Sequence, residues 1–149
     1  MNNLPRLIGI ATRKKTRATM VTLKQCPITT EFGVGNDCRG KPGLRQVTVL
    51  SYESWQQACK ELNTELPWLL RRANLLITGI SFSSADVGKV ITIGKVKLKI
   101  CRETDPCHRM ETSYPGLLKA LTPDWQGGVC CQVIHAGTVA LEDTVSLTD

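Results

Sequence analysis

Short apolar runs, several of them rich in β-branched residues, recur along this sequence between polar or glycine-containing segments. Such runs predict strands. They lie at 7–11, 19–23, 46–50, 75–80, 90–93, 96–100 and 129–134. The tail, 138–147, predicts one further strand or two. Many short strands with few helices favour a mainly β fold, and closing the sheet into a barrel would remove its exposed edges.

Two segments show helical periodicity instead. From Tyr52 to Leu62, large side chains recur at steps of three and four residues, and Ser51 directly before them is a natural N-cap. A second helix is predicted at 115–121, where it stops before Pro123.

Lysines alternate with aliphatic residues between Lys95 and Ile100, which predicts a strand with a solvated lysine face. Two long polar segments, 30–44 and 102–113, are predicted to be loops. Loops of this length in a compact domain are usually functional or mobile. Candidate site residues are therefore sought there first.

The chain has 149 residues, which is the usual size of one domain, and we expect a single domain over 1–149. Its formal net charge of +6 favours an anionic partner. Aromatic residues make up only 5% and do not alternate with basic ones, so the stacking platforms of many nucleic-acid-binding proteins are missing. Nucleic acid is therefore the less favoured partner, although the charge itself does not choose among phosphate, nucleotide and nucleic acid.

The seven cysteines are an odd number and contain no C-x-x-C pair, which argues against a secreted disulfide framework. The apolar start, 7–11, is too short for a signal peptide, and no apolar run is long enough for a membrane span. We therefore expect a cytoplasmic protein with reduced thiols.

A glycine loop at 33–37 precedes Arg45, which stands at the start of a predicted strand. Glycines such as Gly35 let the backbone approach an anion closely, and Asp37 can fix the loop by bonding to its amides. Arg45 can present its guanidinium fork to a phosphate or a carboxylate. A plain connector with a surface arginine remains the alternative interpretation.

Arg71, Arg72 and Asn74 directly precede the strand predicted at 75–80. Adjacent residues of an extended chain point to opposite sides, so at most one of the two arginines would serve a site directly. Asn74 can hydrogen-bond either a loop or a ligand. A solvated turn is the alternative interpretation of this segment.

Cys107 lies in the second polar segment, beside His108 and Arg109. Cationic neighbours favour the thiolate, which is the form that attacks, carries sulfur or binds a soft metal. An inert, partly buried cysteine is the alternative. Core packing is the default interpretation for most of the other cysteines.

Two other chemistries that use Cys107 have weaker support. A zinc site from Cys107, His108, Cys131 and His135 matches no standard ligand spacing. A Cys107–His135 hydrolase lacks an accompanying oxyanion or nucleophile-elbow motif.

Taken in order, the segments resemble a stand-alone MOSC domain, the module named after the C-terminal part of molybdenum cofactor sulfurases. The resemblance covers about 7–147. Its ordered motifs are Gly35-Asn36-Asp37, residues 45–51 with Glu53, residues 71–76 with Gly79-Ile80, Val87-Gly88, Ile93-Gly94, Pro106-Cys107 and Gly127-Gly128-Val129.

The resemblance implies a β-barrel of the pyruvate-kinase-barrel type with a few peripheral helices. It implies binding of the molybdenum cofactor, through a molybdopterin-like ligand, and a role in sulfur transfer or molybdenum-dependent reduction. Cys107 would carry sulfur as a persulfide or ligate molybdenum. Arg45 and either Arg71 or Arg72 would hold the phosphate of the cofactor.

Some features depart from larger relatives. Many of these carry a second cysteine three places after the first, where this chain has Met110, and no lysine motif for pyridoxal phosphate is found here. A cysteine desulfurase or a molybdoenzyme is thus the expected protein partner. A non-catalytic module that docks on such an enzyme is the alternative function.

Overall fold

The computed structural model describes residues 4–149, and these form eleven strands and three α-helices. The strands are β1 Arg6–Thr12, β2 Val21–Thr22, β3 Gln25–Thr29, β4 Gly33–Val34, β5 Val47–Ser51, β6 Leu75–Thr78, β7 Val90–Ile93, β8 Val96–Glu103, β9 Val129–His135, β10 Gly137–Ala140 and β11 Val145–Thr148. The helices are α1 Tyr52–Glu61, α2 His108–Ser113 and α3 Leu117–Leu121. Short 3-10 helices span Trp68–Arg71, Ser84–Asp86 and Pro123–Trp125.

Eight strands form one curled sheet in the order β11-β7-β8-β9-β5-β6-β1-β2. The chain before β11 returns to β1, where Arg6 forms a bridge with Thr144 and the amide of Leu7 donates to the carbonyl of Asp143 at 2.9 Å. The two sides of the sheet therefore meet, which confirms the predicted mainly β, barrel-type fold with few helices.

The interior of the barrel is filled by aliphatic side chains. In β8, for example, Val96, Leu98 and Ile100 are buried, while Lys97 and Lys99 on the other face are exposed. This confirms the predicted lysine face. A second sheet, in the order β10-β3-β4, adds Ile28, Val34 and Val139 to the same core.

The helices cover the outer side of β5 and β6. Trp55 and Ala58 of α1 and Leu117 and Leu121 of α3 pack with Leu50 in a second apolar cluster. The predicted N-cap is present, because the Ser51 hydroxyl accepts from the amide of Ser54 at 3.3 Å. This cluster fixes the connection between the parallel strands β5 and β6.

Several elements differ from the sequence prediction, among them β4, which lies within the predicted loop 30–44. β3 was missed because Pro27 lies within it, and proline is normally confined to the edges of sheets. β2 is only two residues long, so most of the predicted strand at 19–23 is irregular. The segment 102–113, predicted to be a loop, contains the end of β8 and the six-residue helix α2, which is too short for its periodicity to be visible.

In the part of the chain that is described, no helix combines the length and the apolar character needed to cross a membrane.

Candidate functional site

One row of paired residues crosses five strands near one mouth of the barrel. Glu103 pairs with Val129, Val129 with Val49, Val49 with Leu75, and Leu75 with Ile10. On one side of this row the chain leaves the sheet. β1 and β8 end there, and β6 and β9 begin there. Segments that are distant in sequence therefore meet at this mouth.

A cleft of about 330 Å³ opens at this mouth. Six arginines and a single aspartate are the charged residues among its lining residues. The lining residues are Arg13, Asp37, Arg39, Arg45, Thr48, Val49, Arg71, Arg72, Ala73, Asn74, Thr104, Cys107, Arg109, Met110 and Gly127. The cleft is thus strongly cationic.

Arg71 is built into the wall of the cleft and is only 8% exposed. Its Nε donates to the carbonyl of Gly127 at 2.9 Å, and its Nη2 donates to the carbonyl of Thr104 at 2.8 Å. A Cβ on Gly127 would lie 3.2 Å from Nη2, so glycine gives the guanidinium its room. Burial lowers the pKa of Arg71, whereas nearby Cys107 opposes that shift.

Asn74 is used to join strands. Its Oδ1 accepts from the amide of Thr48 at 3.1 Å, and its Nδ2 donates to the carbonyl of Ala11 at 3.2 Å. The side chain is 5% exposed. It therefore holds β1, β5 and the start of β6 together behind the cleft.

The glycine loop is fixed by Asp37. The carboxylate accepts from the amide of Arg13 at 2.9 Å and from the amide of Arg39 at 3.1 Å. At Gly40 a Cβ would collide with the carbonyl of Phe32, so only glycine permits this path of the chain. The loop thereby brings Arg39 and Arg45 to the cleft.

Gln46 attaches this loop to the barrel from beneath. Its Nε2 donates to the carbonyls of Thr30 and Gly40 at 2.9 and 3.0 Å, and its Oε1 accepts from the amide of Val133 at 2.9 Å. Gln46 is 1% exposed, so these bonds satisfy polar groups that water cannot reach.

Arg72 has a left-handed backbone, with φ at 62°, which turns its side chain away from that of Arg71. Its Nη2 donates to the carbonyl of Ala18 at 2.6 Å. Burial lowers the pKa of Arg72, and nearby Arg13 and Arg109 lower it further. The two adjacent arginines therefore line different parts of the same cleft, whereas the sequence predicted that at most one of them would face a site.

Cys107 directly precedes α2, and its side chain is exposed at the cleft. Among the described residues, no group of three or more histidine, cysteine, aspartate or glutamate side chains is arranged to hold a metal ion. The zinc site considered from Cys107, His108, Cys131 and His135 is therefore not formed; Cys131 is fully buried.

The cleft brings together most of the residues selected from the sequence. They are Asp37, Arg45, Arg71, Arg72, Asn74 and Cys107. Gly35 is not among the lining residues of the cleft, and its amide donates to the carbonyl of Pro27 at 2.8 Å. His108 faces a neighbouring cavity of about 610 Å³, which shares Arg72, Arg109 and Met110 with the cleft.

Sequence reasoning did not select Arg13, Arg39, Arg109, Thr48 and Thr104 as lining residues of the cleft. Arg39 and Arg109 lie within the two polar segments and had a visible signal, namely their position beside Asp37 and Cys107. Arg13 had none, because only the strand pairing brings the end of β1 to the start of β6.

The family model for the MOSC domain matches residues 34–146, about three quarters of the chain. The chain belongs to the MOSC domain family. This family is associated with binding of the molybdenum cofactor. No curated protein sequence matches the chain.

Solved structures share this MOSC fold at low sequence identity. YuaD from Bacillus subtilis superposes with a TM-score of 0.78 at 16% identity, over 97% of this chain and 96% of that one. YiiM from Escherichia coli gives 0.71 at 16% identity, over 97% and 70% of the two chains. YiiM from Geobacillus stearothermophilus gives 0.69 at 13% identity, over 99% and 75%. At these identities the likeness concerns the fold alone.

Proposed function

We propose that this MOSC protein binds a molybdopterin-type ligand with a phosphate group in the arginine cleft, and that Cys107 is the reactive thiol of the site. The observation that carries the proposal is the meeting of six arginines and one exposed cysteine in a single cleft. A phosphorylated pterin offers both an anion for the arginines and a reactive end for the thiol.

The charge balance of the cleft supports an anionic ligand. In the described part of the chain the two ion pairs are Arg6–Glu142 and Lys89–Asp86, and neither involves an arginine of the cleft. Asp37 is the one acidic lining residue, and its oxygens accept from backbone amides. Guanidinium groups bind phosphate oxygens through charge-assisted hydrogen bonds, so the donor set fits such a ligand.

The donor set also fits a metal that the ligand itself carries. Cys107 is a soft ligand at the cleft, and residues 4–149 contain no cluster of His, Cys, Asp and Glu that could hold an ion alone. Bound there, the molybdenum cofactor would supply redox chemistry. The protein would contribute one thiolate and the cationic walls.

As a sulfur carrier, Cys107 would act by exchange. The Cys107 thiolate attacks the outer sulfur of a persulfide on a donor such as a cysteine desulfurase. The sulfur–sulfur bond of the donor breaks, and the donor leaves as a thiolate. Cys107 then holds a persulfide, and the step needs no further oxidant or reductant.

The test is the content of the protein purified from a host that makes the molybdenum cofactor. Elemental analysis, pterin fluorescence and intact mass are measured on the wild type and on Cys107→Ser. We expect pterin in the wild type, together with either molybdenum or one extra sulfur atom. The Cys107→Ser variant should lose the molybdenum or the sulfur.

Cys101→Ser is the matched control, because Cys101 is also partly exposed but does not line the cleft. It should retain what the wild type holds. If the wild type contains neither pterin nor molybdenum, and takes up no sulfur from a persulfide donor, the proposal is wrong. A non-catalytic docking module would then be the better description.

A further inference from the structure

The outer side of the barrel has two different surfaces. Over β5 and β6 it is covered by helices, and Leu50 lies there in an apolar cluster with α1 and α3. Over β7, β8 and β9 the outward side chains face solvent instead. Lys97 and Lys99 are exposed on this part of the wall, and Thr92 and Gln132 are half-buried.

Strand register arranges these outward side chains in two rows across β7, β8 and β9. Directly paired residues lie on the same side of a sheet. The rows are Thr92–Lys97–His135 and Val90–Lys99–Gln132. Lys95 is exposed in the turn between β7 and β8, and the Nδ1 of His135 donates to its carbonyl at 2.7 Å, which fixes the turn to β9. The two rows, together with Lys95 and Ile134, are called the open face below.

The positive charge of the open face is not balanced by an acid within it. Lys95, Lys97 and Lys99 each carry a positive charge, whereas β7 and β9 contain no Asp or Glu. Glu103, the one acid of β8, lies at the opposite end of that strand. Neither of the two ion pairs in the described part of the chain includes one of these lysines. Lys97 and Lys99 are about 7 Å apart along the strand and repel one another, so an acidic surface placed against them is attracted.

An apolar side chain is exposed among these charges. Ile134 lies at the irregular pairing of β9 with β8, directly before His135, and is 47% exposed. Val90, in the neighbouring row, is half-buried and adds apolar surface. Protein–protein interfaces combine apolar contacts with a polar and charged rim, and the open face offers both.

Two other occupants suit this face less well. A second copy of the chain, bound through the same face, would set lysines against lysines, because a two-fold interface uses the same patch on both subunits. A nucleic acid strand would find no stacking partner, since β7, β8 and β9 contain no Phe, Tyr or Trp. Charge complementarity and the exposed Ile134 together favour an acidic protein.

We propose that the open face is a docking surface for a protein partner whose contact surface is rich in Asp and Glu around an apolar centre. Lys97 lies six residues from Glu103, which is about 20 Å along β8, and Glu103 marks the mouth of the cleft. A partner on the open face therefore leaves the cleft accessible. The docking surface does not depend on what the cleft binds.

The experiment is an NMR titration of the full-length, ¹⁵N-labelled protein with a short peptide of the repeat Glu-Glu-Leu at low salt. We expect the amide signals of Thr92, Lys97 and Ile134 to shift most, because the acidic and apolar side chains of the peptide contact the open face. Raising the salt should weaken the binding, since exposed charges are screened. Absence of binding, or shifts concentrated at Arg45 and Thr104 of the cleft, would overturn the proposal.

Charge reversal tests whether the lysines of the open face carry the binding. Lys97→Glu/Lys99→Glu should raise the Kd for the peptide about tenfold or more, because two attractive charges become repulsive. Lys60→Glu/Lys119→Glu is the matched control, since it changes the net charge equally at exposed positions on α1 and α3. It should raise the Kd by less than about threefold. Equal losses in the two double variants would mean that net charge alone attracts the peptide, and the proposal would be wrong.

Two further comparisons concern the apolar centre and the class of partner. Ile134→Thr keeps a β-branched side chain and should raise the Kd about threefold, because apolar contact is lost. Tighter binding of a single-stranded oligonucleotide of equal charge, or of phosphatidylserine vesicles, at the same residues would contradict a protein partner. If Lys97→Glu/Lys99→Glu does not fold, Lys97→Gln/Lys99→Gln must show a loss of peptide affinity of about threefold or more.

These outcomes are separate from those of the proposed function, since the peptide titration needs neither pterin nor transferable sulfur. Peptide binding at the open face of a protein that holds neither supports the docking surface and contradicts the proposed function. A protein that holds pterin but binds the peptide equally well after Lys97→Glu/Lys99→Glu keeps the proposed function and loses the docking surface.

Discussion

Cys107 differs from the other cysteines in its exposure. Its side chain is exposed at the cleft, whereas Cys38 and Cys101 are half-buried and Cys26, Cys59, Cys130 and Cys131 are buried. Burial raises the pKa of the Cys26, Cys101 and Cys131 thiols, which disfavours the reactive thiolate. At the scale of single residues, accessibility therefore favours reaction at Cys107.

Native alkylation tests this ranking. With limiting iodoacetamide at neutral pH, we expect Cys107 to be modified first, because a reagent can reach it and the buried thiols are protected. Peptide mass spectrometry gives the site and rate of modification. Cys107→Ser should slow total labelling by about tenfold or more, while Cys101→Ser should leave it within about twofold. Equal rates at Cys107 and Cys131 would contradict the exposure described here.

At the scale of elements, the 3-10 helix Ser84–Asp86 depends on a charged capping box. The Asp86 carboxylate accepts from the amide of Ser83 at 2.9 Å, and Lys89 pairs with it at 3.0 Å. Burial alone would raise the pKa of Asp86, but the bonds from Lys89 and Ser83 outweigh it and hold that pKa below its usual value. The turn into β7 is thus tied to the ionised carboxylate.

This gives a pH-dependent prediction. A lowered pKa in the folded state means that Asp86 stabilises the protein above about pH 4, and that the contribution disappears as the pH falls through the lowered value. Asp86→Asn should therefore lower the free energy of unfolding by about 1 kcal/mol at pH 7 and by less near pH 3. Urea denaturation at both values measures the difference. Asp124→Asn, at an exposed position outside this capping box, is the control and should change the free energy of unfolding at pH 7 by less than about 0.5 kcal/mol.

At the scale of the whole molecule, stability depends on closure of the barrel between the two termini of the described chain. Val145 begins β11, pairs with Ile93 of β7, and its amide donates to the carbonyl of Pro5 at 2.9 Å. Its side chain is 1% exposed and belongs to the main core. One residue therefore joins the last strand, the middle of the chain and the start of β1.

Truncation of Val145 tests this closure. Val145→Ala should cost about 2 kcal/mol of unfolding free energy, because it removes buried methyl groups and leaves a cavity in the core. Val87→Ala is the matched control, since Val87 is 50% exposed, and it should change stability by less than about 0.5 kcal/mol. Equal effects of the two substitutions would mean that β11 does not seal the barrel.

The sequence predicted those elements whose patterns are local. The alternation around Lys97, the cap at Ser51 and the short apolar runs can be recognised within a few residues, and the strands and α1 follow them closely. β3 and α2 were missed because local signals fail there. Pro27 argues against a strand, and six residues are too few to show a helical period.

The residues of the candidate site likewise divide into those that the sequence could predict and those that it could not. Arg45, Arg71 and Cys107 could be selected from their residue type and their neighbours, because charge and nucleophilicity belong to the side chain itself. Arg13 could not, because its place in the cleft depends on the pairing of Ile10 with Leu75, a contact between distant parts of the chain. The sequence alone therefore determined which chemistries are available and the β-rich, barrel-type class of the fold. Only the tertiary structure decided which arginines share a cleft with the thiol, since strand register, rather than distance along the chain, brings these groups together.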